Sequence, residues 1–105
     1  RGWNKDEIGD YDGAVSDYTK AIEINPQYDI AYFNRGISKR KLKDYYGAVS
    51  DYTKAIEINP NYKSAYKNRG ISSEQIGDLK GACDDWEKAS ELGYEEATNW
   101  VKDRC

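Results

Sequence analysis

Fourteen residues, GAVSDYTKAIEINP, run from Gly13 to Pro26 and return unchanged from Gly47 to Pro60, 34 residues later. Asn34-Arg35-Gly36 comes back as Asn68-Arg69-Gly70 at the same offset, and Ala82, Asp85 and Ala89 stand 34 beyond Ala48, Asp51 and Ala55. A period of this length means that one supersecondary unit is being stacked, so each unit buries its apolar face only against its neighbours. Within Asp12 to Ile24, the residues Ala14, Val15, Tyr18, Ala21 and Ile22 recur at spacings of three and four, one stripe of a helix, while Asp17, Lys20 and Glu23 fall on the opposite face. Asn25-Pro26 and Asn59-Pro60 end those helices, because proline lacks an N–H and biases the residue before it away from helical angles. Helical segments of about 12 to 15 residues are marginal alone in water, so stability has to come from packing.

Composition matters here because it first points the other way. Ile, Leu, Val and Phe number 16 of 105 residues, a poverty that would suggest disorder if net charge were high. Net charge is only -3, and ten of the fourteen aromatics occupy repeated slots: Tyr11 and Tyr45; Tyr18, Tyr52 and Trp86; Tyr32, Tyr66 and Trp100; Tyr28 and Tyr62. Such placement predicts a core of Ala, Gly and Tyr, with the aromatics packing rather than stacking on bases. The charge balance argues against a nucleic-acid partner, and no apolar run approaches the ~18 residues of a membrane span.

The pattern resembles the tetratricopeptide repeat family. Tyr32 and Tyr66 match its early aromatic, Gly36 and Gly70 its small residue, Leu42 and Ile76 the apolar residue before the turn, and Gly9-Asp10-Tyr11 the turn itself. Ala14, Ala48 and Ala82 match the first alanine of the second helix, Tyr18, Tyr52 and Trp86 its aromatic, Ala21, Ala55 and Ala89 its second alanine, with Pro26 and Pro60 closing the unit. The resemblance implies an all-α, right-handed superhelical solenoid of antiparallel helix pairs. Its units are a truncated first repeat over 1–28, complete repeats over 29–62 and 63–96, and a capping helix over 97–105, in which Trp100 takes the early-aromatic slot. The start at Arg1 rather than Met, six positions into a repeat, reads as a piece cut from a longer array.

Two departures carry structural expectations. Lys43-Asp44-Tyr45 lacks the turn glycine, which leaves two alternatives, a left-handed Lys43 at a cost of about 1 kcal/mol or a turn of another geometry. The third copy ends Leu92-Gly93-Tyr94 without proline, so its junction differs from the two before it. Gly36 and Gly70 inside helical patterns imply close helix approach, with Ala48 and Ala82 as the expected partners. Arg35 and Arg69 should pair with the recurring Asp17, Asp51 and Asp85, either within a repeat or between adjacent repeats, as exposed pairs of small energetic weight.

Chemistry finds little to work with. The chain has no His, so neither acid–base catalysis of the usual kind nor a zinc site with its two cysteines is expected, and no cofactor is implied. Cys83 stands in the slot of Val15 and Val49 and reads as a small apolar residue; Cys105 could pair with it or with another chain. Asp84-Asp85 reads as one solvated carboxylate beside one ion-pair partner.

What the family resemblance implies is a non-catalytic interaction module whose first helices line a concave groove for an extended peptide or a partner helix. Its groove positions fall on Trp3, Asp6 and Glu7, then on Ile30, Phe33, Asn34, Ile37, Arg40 and Lys41, and in the third copy on Ser64, Lys67, Asn68, Ile71, Glu74 and Gln75. Trp3 and Phe33 are the expected aromatic anchors. Asn34 and Asn68 hold the position where an amide bonds a ligand backbone. Chaperone-binding members clamp a terminal carboxylate with Lys, Asn and Arg; here Asn34, Lys67 and Asn68 fit, but Phe33 and Ile37 stand where a Lys and an Asn belong. The expected ligand is therefore partly apolar and partly acidic, and the alternative is a structural segment that self-associates through exposed repeat ends.

Overall fold

A computed structural model describes residues 10–105, and among them it contains six α-helices and no strand. They are α1 (Tyr11–Ile24), α2 (Asp29–Lys41), α3 (Tyr45–Ile58), α4 (Lys63–Gln75), α5 (Leu79–Glu91) and α6 (Glu95–Arg104). Trp3, Asp6 and Glu7 lie outside the described residues.

The repeat explains how each helix starts and stops. Asp10, Asp44 and Asp78 are N-caps whose carboxylates accept from the amides of Gly13, Gly47 and Gly81 at 3.0, 3.0 and 2.9 Å. Each satisfies one of the free N–H groups of a first helical turn. At the other end, Asn25 and Asn59 are extended, as a residue before proline must be, and their side chains accept from the amides of Gln27 and Asn61 to tighten the link. The α2–α3 and α4–α5 turns close through Asp44 N–H to Lys39 C=O and Asp78 N–H to Ser73 C=O, both 2.8 Å. That geometry needs a left-handed residue just past the helix. Gly77 supplies it at φ 90°, and Lys43 adopts it at φ 67°, the first of the two alternatives.

The last junction departs as expected, and its consequence is specific. Gly93 at φ 105° lets Tyr94 N–H reach Ala89 C=O at 2.9 Å, so α5 joins α6 by the tight turn used within a unit rather than by the Asn-Pro link. Tyr94 then caps α6 as Tyr28 and Tyr62 cap α2 and α4. The step from Tyr62 to Tyr94 is 32 residues, two short of the repeat. Ala97 accordingly fills the buried slot of Ala31 and Ala65, and Trp100 does not take the early-aromatic slot of Tyr32 and Tyr66. It takes the slot of Asn34 and Asn68.

The core is built from small residues and rings. Ala14, Ala48 and Ala82 are inaccessible, as are Ala55, Ala89, Tyr52 and Trp86. The glycines do admit a close approach, but of rings rather than of the expected alanines. A Cβ on Gly36 would stand 2.7 Å from Tyr52 Cε1, and one on Gly70 2.5 Å from Trp86 Nε1. Gly36 and Gly70 thus leave room for rings from the second helix of the same unit.

The arginine–aspartate pairs are resolved and are stronger than surface pairs. Arg35 donates to both Asp51 oxygens at 2.8 and 2.7 Å within its own unit, and to Thr19 Oγ1 of the preceding unit at 3.1 Å. Arg69 repeats this with Asp85 at 2.8 and 2.7 Å and with Thr53 at 3.2 Å. The aspartate side chains are only 4% and 10% exposed. Each latch joins three helices, and the Asp hydrogen bonds raise both guanidinium pKa values above their already high ordinary range, against the desolvation that opposes them. Asp84 is exposed and pairs with Lys80 at 3.4 Å, leaving Asp85 as the structural partner. Cys83 on α5 and Cys105 after α6 form a disulfide across 22 residues, which decides the pairing that the sequence left open and replaces the apolar reading of Cys83.

Candidate functional site

The first helices of successive units, α2 and α4, place the remaining candidate residues in register. Ile30 is exposed on the first turn of α2 and, with Tyr18, Tyr28 and Asn34, lines a cleft of about 200 Å³. Asn34 and Asn68 occupy the same slot on α2 and α4. Asn68 is 6% exposed. It forms no hydrogen bond with any described residue, whereas Arg69 beside it spends its donors on Asp85 and Thr53.

Phe33 is not the free-standing aromatic that the sequence suggests. It is half-buried, with its ring 4.9 Å from Tyr62 and 5.8 Å from Tyr52, so it braces the α2–α4 junction. Ile37 and Ile71 are half-buried, and Ile71 packs on the core. Together they form a short apolar strip along the two helices.

Charge borders this strip. Lys41 is exposed at the end of α2. Arg40 has its Nε buried without a partner and stands beside the buried hydroxyl of Tyr52. Burial pushes the Tyr52 phenol up to about 12, and hydrogen bonding with Arg40, followed by its charge, offsets only part of that. Tyr62 is likewise pushed up to about 12, by burial first and then by Asp29. Lys67 holds its ammonium 5.3 Å above the Tyr94 ring. Tyr94 itself donates to Glu96 at 2.7 Å, which raises its pKa. Glu74 is already paired, with Arg104 at 3.1 Å.

Four residues of this region escape a reading by fixed period: Tyr94, Trp100, Arg104 and Cys105. Trp100 meets Trp86 edge to face at 5.4 Å and closes the row of asparagine slots at its third position. The missing proline was the signal, because a shortened link moves every later residue by two. Among the described residues no group of three or more metal-ligating side chains comes together, and no helix is long and apolar enough to cross a membrane.

Short antiparallel helix pairs, stacked in register and tied by a repeated Arg–Asp–Thr latch, define a helical repeat solenoid. Two family models match the chain: "Tetratricopeptide repeat" over residues 30–62 and "TPR repeat" over residues 7–41. Among solved structures, the first TPR of Spaghetti (RPAP3) bound to the HSP90 peptide SRMEEVD superimposes with a TM-score of 0.91 at 32% identity, over 96% of this chain and 82% of that one. The second TPR domain of human RPAP3, in complex with the HSP70 peptide SGPTIEEVD, gives 0.91 at 28% identity over 97% and 87%. The TPR2B domain of yeast Sti1, in an Hsp70 complex, gives 0.90 at 25% identity over 96% and 87%. Among curated protein sequences none matches. The chain belongs to the tetratricopeptide repeat family.

Proposed function

We propose that this chain is a non-catalytic interaction module that holds an extended, partly acidic peptide along the face shared by α2 and α4. One observation carries the reading: Asn68 is almost fully buried, yet its amide makes no bond to the rest of the described chain. A ligand backbone, offering one donor and one acceptor, satisfies both ends of an amide left free in this way. Asn34 repeats that offer one unit earlier. Between them Phe33 with Ile37 and Ile71 gives an apolar floor, and Arg40, Lys41 and Lys67 favour acidic side chains at its margin.

The similar TPR domains of RPAP3 are bound to peptides ending in Glu-Glu-Val-Asp. That supports an acidic ligand here. Phe33 and Ile37 argue against a clamp for a terminal carboxylate, so the acidic groups recognised are side chains within an extended segment.

Asn34→Ala with Asn68→Ala tests this better than any change at Phe33, whose ring also supports Tyr52 and Tyr62. Titration with SRMEEVD, and with peptides selected from an acid-biased display library, is read by calorimetry. The double variant should lose at least about tenfold in affinity for the selected peptides at an unchanged melting temperature. Equal affinity for wild type and variant would remove the assignment.

A further inference from the structure

Arg104, on the last turn of α6, occupies a seat contributed by three helices. Its guanidinium lies 5.5 Å from the ring centroid of Trp86 on α5 and 5.8 Å from that of Trp100 on α6. Its Nη1 donates to the two oxygens of Glu74 on α4 at 3.1 and 3.4 Å. Trp86 is inaccessible to solvent, and its indole Nε1 has no acceptor. Aromatic faces with one carboxylate opposite are what a planar guanidinium selects over a compact ammonium.

The pair with Glu74 is half exposed on both sides, so on its own it would hold Arg104 only weakly. The next residue supplies a hold. Cys105 is bonded to Cys83 of α5, the helix that also carries Trp86, and this tether keeps the guanidinium at high effective concentration over its seat.

We infer that Trp86, Trp100 and Glu74 form a guanidinium-binding site filled by the chain's own Arg104, and that the Cys83–Cys105 disulfide keeps it filled. A dithiol reductant removes that tether. One of its thiolates attacks the sulfur of Cys105, an exposed residue, and displaces Cys83 as thiolate. The second thiolate then displaces Cys105, and the dithiol leaves as a cyclic disulfide, having given up two electrons while the two cysteines take up two protons. With the tether gone, Arg104 is held only by its local contacts, and the arginine side chain of a partner competes for the seat.

The site is tested with N-acetyl-arginine amide and N-acetyl-lysine amide as probes, following the Trp86 indole N–H signal by NMR. In Arg104→Ala the arginine probe should give a saturable shift, with the lysine probe at least about tenfold weaker. Adding Glu74→Gln should abolish it. Oxidised wild type should bind the arginine probe at least about tenfold more weakly than Arg104→Ala, and treatment with dithiothreitol should recover most of that difference. Cys105→Ser should behave as the reduced wild type and provides a second route if Arg104→Ala does not fold. No saturable shift in a folded Arg104→Ala chain, or equal binding by oxidised wild type, would overturn the site. Unchanged binding on reduction would overturn the clasp. These readings do not depend on Asn34 or Asn68, so failure here leaves the peptide-binding test intact.

Discussion

The middle unit (α2–α3) and the last unit (α4–α5) share one frame and differ in what surrounds it. The Arg–Asp bonds are 2.8 and 2.7 Å in both, with the bond to threonine 3.1 Å in one and 3.2 Å in the other. Around them, Lys39, Arg40, Lys43 and Tyr52 of the middle unit become Ser73, Glu74, Gly77 and Trp86. The frame is therefore set by a few polar contacts that keep the same lengths in both units to within 0.1 Å. The residues next to it are free to tune charge, ring chemistry and turn strain, and each exchanged pair is an internal control for the other.

Breaking the latch gives the largest effect. In the middle unit Asp51 faces two cations, Arg35 and, at 3.3 Å, Lys39, whereas among the described residues Asp85 pairs with Arg69 alone. Removing one partner of a buried pair costs about 3 to 5 kcal/mol because the other charge is left desolvated. Asp85→Ala should fall at the lower end, about 3 kcal/mol, and Asp51→Ala should cost more, since it leaves two positive groups facing each other. Urea denaturation of both variants checks the order. Equal losses would mean that Lys39 moves out to solvent and that the two latches are equivalent.

The second effect separates the rings. Tyr52 has its pKa raised by burial to about 12, against about 10 in the unfolded chain, so the folded state keeps a proton that the unfolded state gives up. Its contribution is fully present below pH 10 and is lost as pH rises from 10 towards 12, by about 2 kcal/mol at the end of that window. Tyr62, also pushed up to about 12, loses stability in the same window. Trp86, in the matching position, does not titrate. Tyr52→Trp, which copies the last unit, should flatten the decline in stability between pH 10 and 12 measured by denaturant titration. A decline as steep as wild type would assign it elsewhere.

How far the sequence speaks follows from the same comparison. Helices, their stops at Asn-Pro, the turn at Lys43 and the recurring Arg and Asp are legible because each is a local rule repeated at 34. What the period hides is whatever depends on geometry between units. Spacing alone does not tell that Gly36 makes room for Tyr52 rather than Ala48, or that Phe33 leans on Tyr62. The Asp caps were present in the pattern Asp-x-x-Gly at positions 10, 44 and 78 and could have been read from it. Trp100 was misplaced because counting by 34 carries straight through a junction that is two residues shorter. Of the candidate site, Asn34, Asn68 and Glu74 all follow from the period, while the pairing of Glu74 with Arg104 does not, since Arg104 lies beyond that shortened link.

The smallest effect lies in the turns, where the units differ by one residue in the same conformation. Lys43 at φ 67° and Gly77 at φ 90° both let the next amide reach back five residues at 2.8 Å. The hydrogen bonding is equal, so any difference in stability comes from the side chain. A Cβ in the left-handed region costs about 1 kcal/mol, while glycine gives back part of that through the greater freedom of its unfolded chain. Lys43→Gly should thus stabilise by about 0.5 kcal/mol, and Gly77→Lys should destabilise by a similar amount, since a Cβ at Gly77 meets nothing within 4 Å and backbone strain is the sole cost. Thermal melts of the two single variants and of the double exchange provide the check. The exchange should return the wild-type midpoint, because the strained residue has only moved from one unit to the next; a double variant less stable than wild type would show that Lys43 contributes a contact in its own turn that outweighs the strain.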